Sequence, residues 1–244
     1  MKTYSVETYD NVIPDEFRKE IWDYIQNQSF HATRKNVKYP DVGHIIRYRP
    51  ADKKYEYMTE DVPSVNNQYM HRTVFGDNEE DLQKDHPIIL ELWNSINKHL
   101  SNKFIIDGDM EGIADTPPRL ARVYVNAQPE ETIKRSHGIH RDTIDLSEEN
   151  HYTLLYIANP EWYPTWFGEN VFYESDDDSL DKQQYQKGFG QARGFGIGEP
   201  YAVIAPKPGR IILYDGRTPH TTRPTAIWAQ EMRKAVVFRI KKVK

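Results

Sequence analysis

Two segments far apart in the chain constrain its fold more than anything else: His140-Arg141-Asp142, and the run Pro208-Gly209-Arg210-Ile211-Ile212-Leu213-Tyr214-Asp215-Gly216-Arg217-Thr218-Pro219-His220. Together they offer two imidazoles and one carboxylate. That donor set covers one face of a first-row metal ion and leaves the remaining positions open. For the three side chains to meet, the fold must carry two distant strand ends to one place.

The His-x-Asp pair alone carries little weight. With 9 His and 37 acidic residues in 244, chance gives roughly one His-x-acid match. Its context carries more. Tyr152 to Ile157 is a β-branched and aromatic run, a strand signal. A turn region follows, Asn159-Pro160-Glu161-Trp162-Tyr163-Pro164, and then a second strand over Gly168 to Tyr173. Gly209 closes a Pro-rich turn and launches the apolar strand Arg210 to Tyr214. Asp215-Gly216 turns the chain just before His220. The last strand runs from Lys234 to Ile240 with Arg233 at its mouth. Alternation puts Arg233, Ala235, Val237 and Arg239 on one face and Lys234, Val236 and Phe238 on the other.

The first half carries no comparable motif. Residues 3 to 9 are expected as an edge strand. Pro14-Asp15-Glu16 opens a helix to about Gln26, with Phe17, Ile21, Trp22 and Ile25 as its core face. His86-Pro87 starts a second helix to about Leu100, burying Ile89, Leu92, Trp93, Ile96 and Leu100. The polar, Tyr-rich stretch 31–83 is read as long loops with short strands around Ile45 to Tyr48 and Arg72 to Phe75. Asp176-Asp177-Asp178 lacks the spaced ligands of a calcium loop and reads as a solvated turn. The glycine-rich stretch 187–198 is followed by no Gly-Lys-Ser/Thr and no helix, so it is a flexible loop rather than a phosphate loop. One domain over 1–244 is expected, with 1–103 a helical and looped elaboration and 104–244 the β core. Net charge of −5 argues against a nucleic-acid partner. The absence of Cys removes disulfides and thiol catalysis. No long apolar run or basic-apolar leader pattern occurs, so the expected setting is cytoplasmic, away from membranes.

The ordered pieces resemble one family. Arg122-Val123-Tyr124-Val125-Asn126-Ala127-Gln128, His140-x-Asp142, Thr153 to Asn159 with Trp162, Gly168-Glu169, Lys207 to His220, and Arg233 before an apolar strand are similar to the Fe(II)- and 2-oxoglutarate-dependent dioxygenases, in their prolyl-4-hydroxylase-like branch with bacterial and phage members. The resemblance spans about residues 119 to 240. It implies a mainly β fold with flanking α, a double-stranded β-helix or cupin-like jelly roll, with the N-terminal helices packed on one sheet. It implies His140, Asp142 and His220 as the metal ligands and catalytic centre. Fe(II), 2-oxoglutarate and O2 would be the reactive partners, with ascorbate as a supporting reductant. The implied reaction hydroxylates an unactivated C–H, in a peptide prolyl residue, a free amino acid or another small molecule. The presence of Asp142 favours hydroxylation over halogenation.

Arg233 is the expected partner of the distal 2-oxoglutarate carboxylate, because a guanidinium grips a carboxylate through two parallel hydrogen bonds. It lies 13 residues after His220, more than in relatives, so Lys234 and Arg239 stay open as partners until the strand register is known. Tyr124 is the candidate hydroxyl donor to the cosubstrate, with a core role as its alternative. The chain departs from the family pattern at Ile157, where a Tyr is common, and at Phe167, where the first Gly of a Gly-Gly-Glu turn is usual. His137 competes as a ligand, though Gly138 argues for a loop and a substrate-side role. His151 reads as structural. Trp162 and Trp166 either line a groove or pack on the sheet. Two other readings remain: a carbohydrate-binding jelly roll without catalysis, and a zinc hydrolase on the same triad with Glu169 as the nearest general base.

Overall fold

The computed structural model describes residues 1–28, 31–32, 46–49, 54–57, 71–104, 119–128, 139–142, 151–175 and 197–241. The strands are β1 (Val6–Tyr9), β2 (His31–Ala32), β3 (Ile46–Arg49), β4 (Lys54–Tyr57), β5 (His71–Gly76), β6 (Arg119–Gln128), β7 (His151–Ile157), β8 (Asn170–Ser175), β9 (Ile197–Ile204), β10 (Ile211–Asp215), β11 (His220–Thr222) and β12 (Arg233–Lys241). The helices are α1 (Asp15–Gln26), α2 (Glu79–Asp85) and α3 (Pro87–Phe104). A seven-stranded sheet runs in the order β1-β10-β7-β12-β6-β5-β2. It faces a three-stranded sheet, β11-β8-β9, while β3 and β4 form a separate hairpin. The pairings are antiparallel. This is the mainly β jelly roll with helices laid on one sheet that the sequence led us to expect.

The period-two alternation of β12 divides the protein into its two layers. Val236, Phe238 and Ile240 point outward and join Ile21 and Ile25 of α1 and Leu92, Trp93 and Ile96 of α3. Trp93 stacks on Phe238 with ring centroids 5.6 Å apart. Val237 points inward, where Tyr124, Leu155, Ile212 and Tyr214 of the large sheet meet Phe172 of the small one. The helices therefore seal the outer face, and the inner face is left to line the barrel.

The N-terminal half also supplies strands to the large sheet. β1 forms its edge, paired from Val6↔Tyr214 to Tyr9↔Ile211. Asp10 locks that edge through a two-pronged pair with Arg210, Nε to Oδ1 at 2.8 Å and Nη2 to Oδ2 at 2.9 Å. The turn before β10 depends on Gly209, whose φ of +74° a side chain tolerates poorly. Its N–H donates to the Ile157 carbonyl at 2.9 Å and so sets β10 beside β7.

Helix α2 was not anticipated. It has only seven residues, too few to show an apolar period. Its start is set by Asn78, whose side chain accepts from the Asp81 N–H at 2.9 Å. His137, Asp176–Asp178 and positions 187–196 lie outside the described residues.

Lys234 is the unusual member of the outer layer. It is only 1% exposed. Its ammonium lies 4.7 Å from the centre of the Trp22 ring and donates to Gln26. Burial pulls its pKa down to about 8, against a smaller opposing pull from Glu231. The unfolded chain therefore holds more protons than the folded one between about pH 8 and the ordinary lysine value, and stability rises with pH through that window. Chemical denaturation of wild type and Lys234→Met across pH 7 to 10.5 should show the rise, up to ~3 kcal/mol, in wild type alone. Parallel curves would remove the assignment.

Candidate metal centre

His140 and His220 are joined by backbone. Each donates its N–H to the other's carbonyl, at 2.9 and 2.8 Å. Alternation along the extended segment then puts the side chains of His140 and Asp142 on the same side and sends Arg141 to the other. Arg141 is buried and held there, with Nη1 on the Arg217 carbonyl at 2.6 Å and Nη2 on Ser175 Oγ at 2.7 Å. The Asp142 N–H donates to the Gly216 carbonyl at 2.8 Å. The turn that delivers His220 is fixed by Asp215, whose Oδ1 accepts the Arg217 N–H at 2.8 Å and whose Oδ2 pairs with Arg217 Nη2 at 2.6 Å.

The three candidate ligands come together. One donor atom from each of His140, Asp142 and His220 lies within 4.8 Å of the others. The imidazole centroids are 4.4 Å apart. His220 Nδ1 is 2.9 Å from the Thr218 carbonyl, which can only accept, so the proton sits on Nδ1. That leaves the Nε2 lone pair on the side of Tyr214 Oη, 3.2 Å away, and Asp142 Oδ2, 3.7 Å away. Two imidazoles and a carboxylate gathered this way suit a non-haem Fe(II) ion.

Asp142 is held by three donors that sequence reading did not assign to it. Thr153 Oγ1 donates to Oδ2 at 2.7 Å and Tyr214 Oη to the same oxygen at 2.9 Å, while Arg239 Nη1 pairs with Oδ1 at 2.5 Å. The donors form one cross-strand row of the large sheet, with Tyr214 opposite Thr153 and Thr153 opposite Arg239. Their signal in the sequence is a polar or charged residue at an inward position of an apolar strand. Burial pushes the Asp142 carboxyl up. The Arg239 guanidinium, with His220, His140 and the Thr153 hydroxyl, outweighs it and holds the carboxyl well below the usual carboxylate range. Burial and the Asp142 charge push the Tyr214 phenol well above its ordinary value, so it stays a neutral donor.

Strand register separates the three cations left open by the sequence. Lys234 faces the helices. Arg239 is paired with Asp142. Arg233 is 2% exposed, and its Nε and Nη2 have no hydrogen-bond partner among the described residues. Those two nitrogens make one edge of the guanidinium, the edge by which Arg210 grips the Asp10 carboxylate. Burial lowers the Arg233 pKa to about 10, with Tyr214 and Glu169 pulling the other way, so it remains a cation at neutral pH. A buried cation with two unanswered donors is costly, and a carboxylate on that edge would offset the cost.

The register that aims Arg233 inward is set by Asn159. Its Oδ1 accepts the Lys234 N–H at 2.7 Å and its Nδ2 donates to the Met232 carbonyl at 2.9 Å. Gly168, at φ +85°, takes a conformation that strains any side chain, and its surroundings are tight. A Cβ there would sit 3.1 Å from Arg233 Cδ and 3.2 Å from Thr225 Cγ2. Tyr124 is buried on the inner face beside Val237, and its charge state would bear on both Tyr214 and Arg239. Trp162 and Trp166 pack edge to face at 5.3 Å around the Gly168 turn. The His151 carbonyl accepts the Gly216 N–H at 2.7 Å, a structural role. Glu169 is outside the three-residue cluster and acts on Arg233.

No family model matches the chain, and no curated protein matches it. Solved structures do. A prolyl hydroxylase from Trichoplax adhaerens, in complex with a hypoxia inducible factor oxygen degradation domain peptide, superposes with a TM-score of 0.55 at 14% identity, over 97% of this chain and 83% of that one. A Pseudomonas putida prolyl-4-hydroxylase gives 0.55 at 11% identity, over 99% and 95%. The non-heme alpha-ketoglutarate-dependent carbocyclase SnoK gives 0.50 at 9% identity, over 98% and 80%. The chain is thus similar in fold, over nearly its whole length, to prolyl hydroxylases and other 2-oxoglutarate oxygenases.

Titration calorimetry with Co(II) or Ni(II) under anaerobic conditions should give one equivalent bound. His220→Ala and Asp142→Ala should each lose at least about 100-fold in affinity, since deleting a ligand costs more than deleting a group that orients one. Affinity unchanged in either variant would remove that residue from the ligand set.

Proposed function

We propose that this protein is an Fe(II)- and 2-oxoglutarate-dependent dioxygenase that hydroxylates an unactivated C–H bond. The observation that carries the reading is the unpartnered edge of buried Arg233 on the same inner face as the His140, Asp142 and His220 cluster. The two features match the two ends of one small dicarboxylate. 2-Oxoglutarate has a keto acid that chelates a metal and a distal carboxylate that needs a cation.

The residues divide the work. His140, Asp142 and His220 hold the ion by one face. Arg233 takes the distal carboxylate, and Tyr124 offers a hydroxyl from the neighbouring strand. Leu155, Ile212, Val237 and Phe172 wall the space between with apolar surface, which strengthens each charged contact inside it. When bound, the iron and 2-oxoglutarate supply the oxidation: O2 gives one atom to succinate as CO2 leaves and the other to the substrate C–H. The substrate proposed is a prolyl residue in a peptide, a free amino acid or another small molecule. A non-catalytic carbohydrate module has no use for a buried guanidinium with an open edge. For a zinc hydrolase, Glu169 stands outside the metal cluster and acts on Arg233 only through its charge.

The test loads the protein with Fe(II) anaerobically, then admits air with 2-oxoglutarate and ascorbate. Succinate should form, and a panel of peptides and amino acids should be searched for compounds that stimulate it. Arg233→Ala should raise the KM for 2-oxoglutarate about 30-fold or more, the loss of a charged two-pronged contact worth about 2 to 5 kcal/mol. Metal affinity should stay within a few-fold, and Lys234→Ala should leave the KM unchanged. No succinate above background from wild type, with any of these compounds, would overturn the oxygenase reading.

A further inference from the structure

A metal ligand needs one or two groups to orient it, and Asp142 has three on its carboxylate. Arg239 is the one that matters beyond orientation, because it brings a charge. Its Nη1 is 2.5 Å from Asp142 Oδ1 and 3.0 Å from Thr153 Oγ1, and its Nη2 donates to the Asp142 carbonyl. The guanidinium therefore spans side chain and backbone of one residue, and it occupies Oδ1. Oδ1 also faces His140 Nε2 at 3.9 Å, while Oδ2, which accepts from Thr153 and Tyr214, faces His220 Nε2 at 3.7 Å. Asp142, Thr153 and Arg239 share their contacts, so the carboxylate cannot rotate without breaking a charged hydrogen bond. Arg239 is three strand steps of two residues from Arg233 on the same inner face, and the two guanidiniums do different work.

We propose that Arg239 is a positioning residue that restricts Asp142 to giving the metal a single oxygen and that, through its charge, keeps the metal loosely held, so that coordination positions stay open for cosubstrate and O2. The inference rests on His140, Asp142 and His220 being the metal ligands. With Arg239 gone, Thr153 and Tyr214 still hold Oδ2, but Oδ1 is released to join it on the ion, which tightens the grip and fills a position. A guanidinium about 5 Å from a divalent ion weakens binding by about tenfold in a water-like dielectric and by on the order of 10,000-fold or more at the effective dielectric of protein sites, so roughly hundredfold or more is expected for a partly screened pair. Lost orientation weakens binding by about 10- to 100-fold. The charge effect is therefore the larger of the two when the cation is removed, and orientation alone is at stake when the charge is kept.

The two substitutions at Arg239 then move metal affinity in opposite directions. Arg239→Gln removes the charge and the clamp, and should bind Co(II) about tenfold tighter than wild type. Arg239→Lys keeps the charge but loses the planar fork, and should bind about tenfold weaker. Proton relaxation of water by bound Mn(II) should show fewer exchangeable waters in Arg239→Gln than in wild type, and the visible Co(II) spectrum should change with it. Circular dichroism melts identify any variant that does not fold, and the second substitution then decides. Weaker binding in both variants would mean that Arg239 serves structure only, and would overturn the proposal. So would an unchanged water count in Arg239→Gln. A wild-type protein that binds no divalent ion would instead remove the metal reading itself, a result these variants are not needed to see.

Discussion

The backbone bridge between His140 and His220 is the contact on which the site depends. Two hydrogen bonds, 2.9 and 2.8 Å, join residues 80 positions apart. They fix the two imidazoles side by side before any ligand chemistry is considered. The rest of the site is hung from that pair by strand geometry. Alternation carries Asp142 to the same side as His140. The hydrogen-bonded turn at Asp215 holds the approach to His220, and the Thr218 carbonyl selects the tautomer with the proton on Nδ1 and the lone pair on Nε2. None of this needs the side chains to attract one another, which is fortunate, because two imidazoles and a carboxylate offer little mutual attraction when the rings are neutral. The backbone does the gathering, and the donor row of Tyr214, Thr153 and Arg239 behind Asp142 keeps its charge in place.

Two arginines on one face of β12 show how differently the same side chain can be used. Arg239 is neutralised within the protein by Asp142. Arg233 is more deeply buried and has no hydrogen-bond partner along its Nε and Nη2 edge among the described residues. Arg210 shows what that edge does when satisfied, since the same two nitrogens close on Asp10 at 2.8 and 2.9 Å. The contrast within one chain sets a structural guanidinium beside one whose open edge supports the proposed grip on an incoming carboxylate. Lys234 completes the picture from the opposite face. It is next to Arg233 in sequence and shares none of its surroundings, because one step along a strand is a full change of side.

Much of this was legible in the sequence, for reasons that are local. Pro14 and Asp15 at the start of α1, and the apolar stripe through Ile21 and Ile25, mark a helix whose signals lie within its own turn of chain. The apolar runs of β7, β10 and β12 mark strands, and the His-x-Asp and Thr-Pro-His pieces mark the candidate ligands. What could not be read was register. Arg233 is the expected cation from the sequence, with Lys234 and Arg239 open as alternatives, and only the register of β12, held at its start by Asn159, separates them. The row of Tyr214, Thr153 and Arg239 was hidden for the same reason, because each member is ordinary on its own strand and the row exists only across three. Helix α2 escaped because seven residues are too few for a period, although the Asn78 cap was there to be seen. The edge strand β1 was expected, but its partner, β10, lies some 200 residues on and leaves no trace in a local pattern.

The turn at Phe167 and Gly168 shows what the protein gives up to keep Arg233 dry. Both residues have positive φ, +57° and +85°. Gly168 accepts this freely. For a bulky residue such as Phe167 the conformation costs on the order of 1 to 3 kcal/mol, a cost that folded proteins accept mainly around functional sites. The turn brings the backbone so close to Arg233 Cδ that a side chain at Gly168 would be tightly crowded. It is also overlaid by aromatic rings, with Trp162 on Trp166 and Phe167 edge to face with Trp228 at 6.1 Å. Trp162 and Trp228 donate to the carbonyls of Phe167 and Thr165, which ties the cover to the strained segment. Water is thereby kept from the guanidinium at the expense of local strain. The expense is worthwhile only if Arg233 meets a charge inside, because an anion held in a dry site is bound far more strongly than the same pair in water. Strain at Phe167, burial of Arg233 and the open edge of its guanidinium all support the reading proposed for this place, a site for an anion that arrives from outside the chain.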